Sequence, residues 1–322
     1  MADRFAREVE VDKYHGTSVD HQLGKATVAD YTARWEATRA DLARSTRDRD
    51  HGYLKKYVKP VFGDLSVTQV RTSEVELWLA QNLAELAPAT RAKCLQLLRS
   101  VLDLARRDRA IAANPAADVK PPTPTPVRKT RVLTDEQATA LIDAAEVVDE
   151  RIAGIVWVML RAGLRFGEAA ALKRSDIDLA AGTLSVQRSL TRADGVQLPK
   201  TAAAVRTIPM TADLTARITE HITAMPPHID GWLFTQPKGG AVDYNRWRNR
   251  IWLPITELAD LKGVNAHDLR HTCLTRLARV DGWPPSALQA IAGHSDPRTT
   301  LAVYVHVTAD QLPTPSTMEA LM

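Results

Sequence analysis

His267 and Arg270 lie three residues apart in the run His267-Asp268-Leu269-Arg270-His271-Thr272. That spacing puts both on one face of a helix. An imidazole and a guanidinium pointing together suit a phosphate: the planar fork bridges two oxygens, and the ring can give or take a proton. The run also reads H-x-x-x-H, as in zinc peptidases, whose chemistry needs a glutamate directly after the first histidine. The shorter Asp268 stands there and Arg270 would bring positive charge beside the metal, so no metal site is expected. Upstream, Arg165 opens a turn and Glu168 follows three residues on, where it can hold the guanidinium in one orientation or form a plain structural ion pair. Downstream, Gly293-His294 reads as a helix C-cap followed by a histidine, and Ser295-Asp296-Pro297 as the start of a last helix that ends near Tyr304. Tyr304 is either a core aromatic or a nucleophile. The second role requires it to lose a proton near neutral pH from a reference pKa of about 10, with help from cations or a base. Lys200, in Leu198-Pro199-Lys200-Thr201, is either a solvated turn residue or a mobile acid, with Arg206 as the nearby rival.

These residues need a scaffold, and 322 residues suffice for two domains with cores. The longest apolar run, 152–160, is bounded by Arg151 and Arg161 and is too short to span a bilayer. The first residues carry no signal-peptide core, so a cytoplasmic protein is expected. Cys94 and Cys273 are isolated and fit buried thiols better than a disulfide. Net charge is only +4, but it is unevenly spread: residues 25–129 hold 19 Lys and Arg against 12 Asp and Glu, and residues 130–322 hold 20 against 21. A basic first half beside a balanced second half suggests a nucleic-acid-gripping module joined to something else, although a solvated helical surface would read the same.

The basic half reads as four helices. One starts at Thr27 with Val28, Tyr31, Trp35 and Leu42 on one face. One runs over 46–58 with Lys55, Lys56 and Lys59, ended by Pro60 and Gly63. One runs over 73–83 from a Ser73–Glu76 cap, and one starts near Pro88 with Leu95, Leu98, Leu102 and Ala105 as its stripe and carries Arg91, Lys93 and Arg99. Residues 114–130 contain five prolines and read as a linker. Beyond it, Thr134 and Gln137 form a capping box, and helices are expected at 135–146, 151–162, 213–223, 243–259, 267–279, 284–291 and 297–305. The alternating runs 183–190, 196–198 and 205–208 predict one three-stranded antiparallel sheet. The fold class is therefore mainly α with a small antiparallel sheet (α+β).

Taken in order, the boxes G-L-R-F-G-E (163–168), P-K-T (199–201), H-D-L-R-H-T (267–272) and G-H-S-D-P followed by T-T and Tyr304 (293–304) resemble those of the tyrosine recombinases, phage integrases above all. The resemblance covers about residues 25–308. It implies a SAM-like helical core-binding domain over 25–113, the linker, and a catalytic domain over 131–308, the two closing round duplex DNA as a C-shaped clamp. Residues 309–322 form a C-terminal tail, and 1–24 a tail whose stretch 5–20 is similar to the end of an arm-binding domain. By position, Tyr304 matches the nucleophile that forms a 3′-phosphotyrosyl link. Arg165 and Arg270 match the arginines on the non-bridging oxygens, and His267 and His294 match the groups that bond the phosphate and assist proton transfer. Lys200 matches the acid for the leaving 5′-oxygen, and Glu168 supports from behind. Ala292 stands where leucine is common. The resemblance implies no metal and no ATP as cofactor, since two arginines can carry the charge of a pentacoordinate phosphorus and the covalent link conserves the bond energy. It implies attachment-site DNA as partner, a homotetramer on two duplexes, and room for a DNA-bending or directionality factor. Lys55, Lys56, Lys59, Arg91, Lys93 and Arg99 are the DNA-contact candidates, Arg91 and Lys93 as readers of bases. A housekeeping recombinase resolving chromosome or plasmid dimers, and a non-catalytic clamp, are the alternatives.

Overall fold

The structure is a computed structural model and describes residues 20, 22–123, 131–191, 194–198, 205–236, 239–279 and 282–301. It divides into two compact units, with the boundary between positions 128 and 129.

In the first unit α1 (Val28–Ala37) begins at a reciprocal cap: Asp30 N–H donates to Thr27 Oγ1 (3.1 Å) and Thr27 N–H to Asp30 Oδ2 (2.9 Å). Val28, Tyr31 and Trp35 are buried as their spacing predicts, but α1 ends before Leu42. Helix α2 (Arg44–Tyr53) does not stop at Pro60. It widens into a π turn, Leu54–Val58, in which Lys59 N–H reaches back to Leu54 O, and continues over Lys59–Phe62. The wider turn makes room for a pyrrolidine ring that would strike a regular helix. Helix α3 (Thr72–Leu77) is capped by Glu74, which accepts from Arg71 N–H at 3.1 Å, so the start lies earlier than Ser73–Glu76 implies. The same acid spacing occurs twice there, and extended backbone at Arg71 selects the first. Helix α4 (Pro88–Arg107) buries Leu95, Leu98, Leu102 and Ala105 as expected. Residues 114–119 of the proline-rich segment are docked on it: Asn114 Nδ2 donates to Arg99 O (3.0 Å), and Ala116 and Val119 are buried.

In the second unit α5 (Asp135–Arg161) starts at the Thr134–Gln137 box and breaks at Asp149, whose φ of −165° is not helical. The break gives the two expected helices, and the second is the core: 152–160 is buried throughout. A Cβ on Gly154 would come within 2.1 Å of the Phe234 ring, so glycine permits that contact. The expected single sheet is two sheets. Strand β2 (Thr183–Val186) lies between β1 (Ile177–Asp178) and β5 (Arg206–Pro209), while β3 (Ser189–Thr191) pairs with β4 (Gly195–Gln197), all antiparallel. The run 183–190 divides because Leu184, opposite Ile208, and Val186, opposite Arg206, turn into the core, whereas β3 and β4 pair separately, with Gly195 at φ +66°. Helix α7 is Ala212–Ala224, and α8 (Tyr244–Trp247) runs through a π turn to Leu258. Helix α9 (Ala266–Arg279) and α10 (Pro285–Ala292) follow, then a helical turn at 297–301. Mainly α with small antiparallel sheets is therefore the observed class.

Candidate active site

Short elements bring Arg165, Arg270 and His294 together. Gly163 adopts φ +66° and ends the core helix. Arg165 then caps α6 (Phe166–Ala169): its N–H donates to Glu168 Oε2 (2.9 Å) and its guanidinium to Glu168 Oε1 (2.8 Å). A Cβ on Gly167 would lie 2.5 Å from Leu190 O, so glycine lets β3 close over this turn. Arg165 also reaches Gly293 O at 3.4 Å, and its side chain remains 40% exposed. It can therefore meet a ligand.

Arg270, one turn along α9 from His267, is buried. It donates to Gly163 O (2.6 Å) and Ala292 O (2.5 Å), and its Nη2 lies 3.0 Å from His294 Nε2. Burial and the charge of Arg165 lower its pKa to about 9, which leaves it charged at neutral pH. His267 is exposed on that face. Partial burial of its ring, Arg270 and Arg165 lower its pKa. Gly293 closes α10 at φ +59° and hands the chain to His294, whose pKa burial and then Arg270, Arg165, Arg206 and His267 depress to about 4.

Arg206, which the sequence offers only as a rival acid, lies beneath the site. It donates to both oxygens of Glu168 (2.8 and 3.2 Å) and to Ile291 O (2.5 Å). Burial alone would raise the Glu168 carboxyl. The hydrogen bonds and charge of Arg206, with Arg165 N–H and Arg270, outweigh it and bring the pKa to about 2. Three guanidiniums against one carboxylate and a neutral imidazole leave net positive charge, suited to an anion. Thr300, which bonds His294, lies in the T-T pair of the last box, but sequence reasoning gave it no role; nothing local marks Arg206, whose partners come from other elements. Tyr304 and Lys200 lie outside the described residues.

Residues 131–311 match the model of the phage integrase family, and residues 26–121 that of the phage integrase central domain. The chain belongs to the phage integrase family. It is a site-specific tyrosine recombinase, an enzyme acting on DNA. The integrase of Mycobacterium phage L5 is 29% identical over 85% of this chain and 74% of its own length. A XerC-like tyrosine recombinase of Caldanaerobacter subterraneus is 24% identical over 92% and 83%. The fold is similar to that of the Tn1549 transposon integrase in complex with circular intermediate DNA (TM-score 0.76, 22% identity, 92% of this chain and 99% of that one). It is also similar to a lambda integrase dimer bound to a COC' core site (0.68, 16%, 88% and 78%).

Within the first unit the six DNA-contact candidates divide. Lys55 and Lys56 are exposed and Lys59 is half-buried. Arg91 donates to Leu79 O at 2.7 Å, Lys93 pairs with the buried Asp50 at 3.3 Å, and Arg99 holds Ala116 O (2.7 Å) and Val119 O. Those three help hold the unit together. Among the described residues no cluster of three or more metal-binding side chains occurs, and no helix is long and apolar enough to cross a membrane.

Proposed function

We propose that this recombinase integrates a phage or other mobile element through Tyr304. Its Oη attacks a backbone phosphorus, the bond from phosphorus to the 5′-oxygen breaks, Lys200 protonates that oxygen, and a 3′-phosphotyrosyl link remains. Attack by the 5′-hydroxyl of a partner strand reverses the step, so strands are exchanged without hydrolysis. Arg165 and Arg270 hold the non-bridging oxygens, His267 and His294 bond the phosphate and move protons, and Glu168 fixes the arginines. The observation that carries this reading is the convergence of Arg165, Arg270 and His294 over Glu168 in one positively charged site.

The duplex-binding unit is 25–113, with Lys55, Lys56 and Lys59 on phosphates and Arg91, Lys93 and Arg99 as further candidates that must trade an internal partner for DNA. The working form is a tetramer on two attachment-site duplexes, with a bending or directionality factor where the site requires one, in the cytoplasm. A nicked suicide duplex tests the reading: wild type forms a covalent adduct and Tyr304→Phe does not. No adduct with wild type, or an adduct with the phenylalanine variant, overturns the nucleophile assignment.

A further inference from the structure

His294 Nδ1 lies 2.9 Å from Thr300 Oγ1, and its Nε2 lies 3.0 Å from Arg270 Nη2. A guanidinium nitrogen only donates, so Nε2 must accept. The ring proton is then on Nδ1 and is donated to the Thr300 hydroxyl. Thr300 is 3% exposed, on the turn 297–301 in the segment that leads to Tyr304. A phosphate oxygen also only accepts, so a neutral His294 held this way cannot bond one.

We propose that Thr300 is a positioning residue: as acceptor for the Nδ1–H that Arg270 imposes, it holds the His294 ring in place, so that the site takes up a proton at Nε2 when a phosphodiester enters. This rests on the recombinase reading of the site. The proton comes from solvent. Nε2–H then points at the phosphate, Nδ1–H stays on Thr300, and Arg270 Nη2 is released from the ring and turns to a non-bridging oxygen. The charges facing the ring are Arg270 and His267 from α9, Arg165 from the turn before α6, and Arg206 from β5. These cations oppose the imidazolium, and an anion placed among them favours it.

The test uses the full chain with ¹⁵N-labelled histidine, His294 being assigned by its loss in His294→Gln. Sulfate serves as the probe, an oxyanion that does not itself titrate near neutral pH. In wild type the ring shows protonated Nδ1 and unprotonated Nε2, and saturating sulfate raises its titration midpoint by roughly a unit or more. Thr300→Val leaves the Nδ1–H without its acceptor and weakens the sulfate response, and Thr300→Ser restores it. A resting wild-type ring protonated on Nε2, or a valine variant with the wild-type sulfate response, overturns the proposal. The wild-type and serine spectra decide the matter even where the valine variant does not fold. Failure of the covalent-adduct assay would sink the recombinase reading while leaving the tautomer measurement standing.

Discussion

Glu168 and Arg206 are joined by two hydrogen bonds, of 2.8 and 3.2 Å, and both side chains are only 6% exposed. The carboxylate also meets Arg165, and Arg270 lies 3.8 Å away, so one buried anion holds three guanidiniums in register. Breaking such a pair leaves uncompensated buried charge. Glu168→Ala should cost on the order of 3–5 kcal/mol in urea unfolding. A loss below about 1 kcal/mol would show that the cluster does not depend on its anion.

The same pair predicts an acid limb. The folded pKa of Glu168, about 2, lies below the ordinary 4.5, so the unfolded chain binds the proton first. Its contribution is present above 4.5 and is lost as pH falls toward 2. His294 acts in the same direction over a higher window: its folded pKa of about 4 lies below 6.5, so stability falls as pH drops from 6.5 toward 4. Urea midpoints measured from pH 7 to 4 should decline in wild type and decline less in His294→Gln.

Arg165 and Arg270 should separate activity from stability. Arg165 is 40% exposed, and Arg165→Ala should lower the rate of covalent adduct formation by about 10²–10³-fold while changing stability by no more than ~1 kcal/mol. Arg270 holds Gly163 O and Ala292 O from within the core, so Arg270→Ala should lose both activity and folding stability. Equal destabilisation by the two variants would contradict this division.

Gly293→Ala should destabilise by about 1–2 kcal/mol, because φ is +59° and the new Cβ would stand 3.0 Å from Arg206 Nη1. The thermal midpoint reads this directly. An unchanged midpoint would mean that the cap relaxes without disturbing Arg206.

DNA binding should distinguish exposed cations from committed ones. Lys55→Gln with Lys56→Gln should weaken duplex binding uniformly across sequences and lower the slope of log affinity against log salt by up to about two. Arg99→Ala should chiefly lower stability, since it releases the carbonyls of Ala116 and Val119. A salt slope that falls for Arg99→Ala alone would move the DNA face to α4.

The sequence by itself determined most of the helices and, through its ordered boxes, the family. A period-3.6 stripe marked α4 and an unbroken apolar run the buried half of α5, Thr27 and the Thr134–Gln137 box marked helix starts, and the ordered boxes pointed to Arg165, His267, Arg270, His294 and Tyr304. These signals are local, set by spacing within a turn or two of one helix. The π turn before Pro60, the division of 183–190 between two sheets, and the assignment of Arg91, Lys93 and Arg99 to internal partners were decided only in three dimensions. So were Arg206 beneath Glu168, 38 residues away, and Thr300 on His294. A buried carboxylate takes whichever cation the packing of β5 delivers, and an imidazole takes its tautomer from whichever donor packs against it. Neither choice can be read from the spacing within one helix.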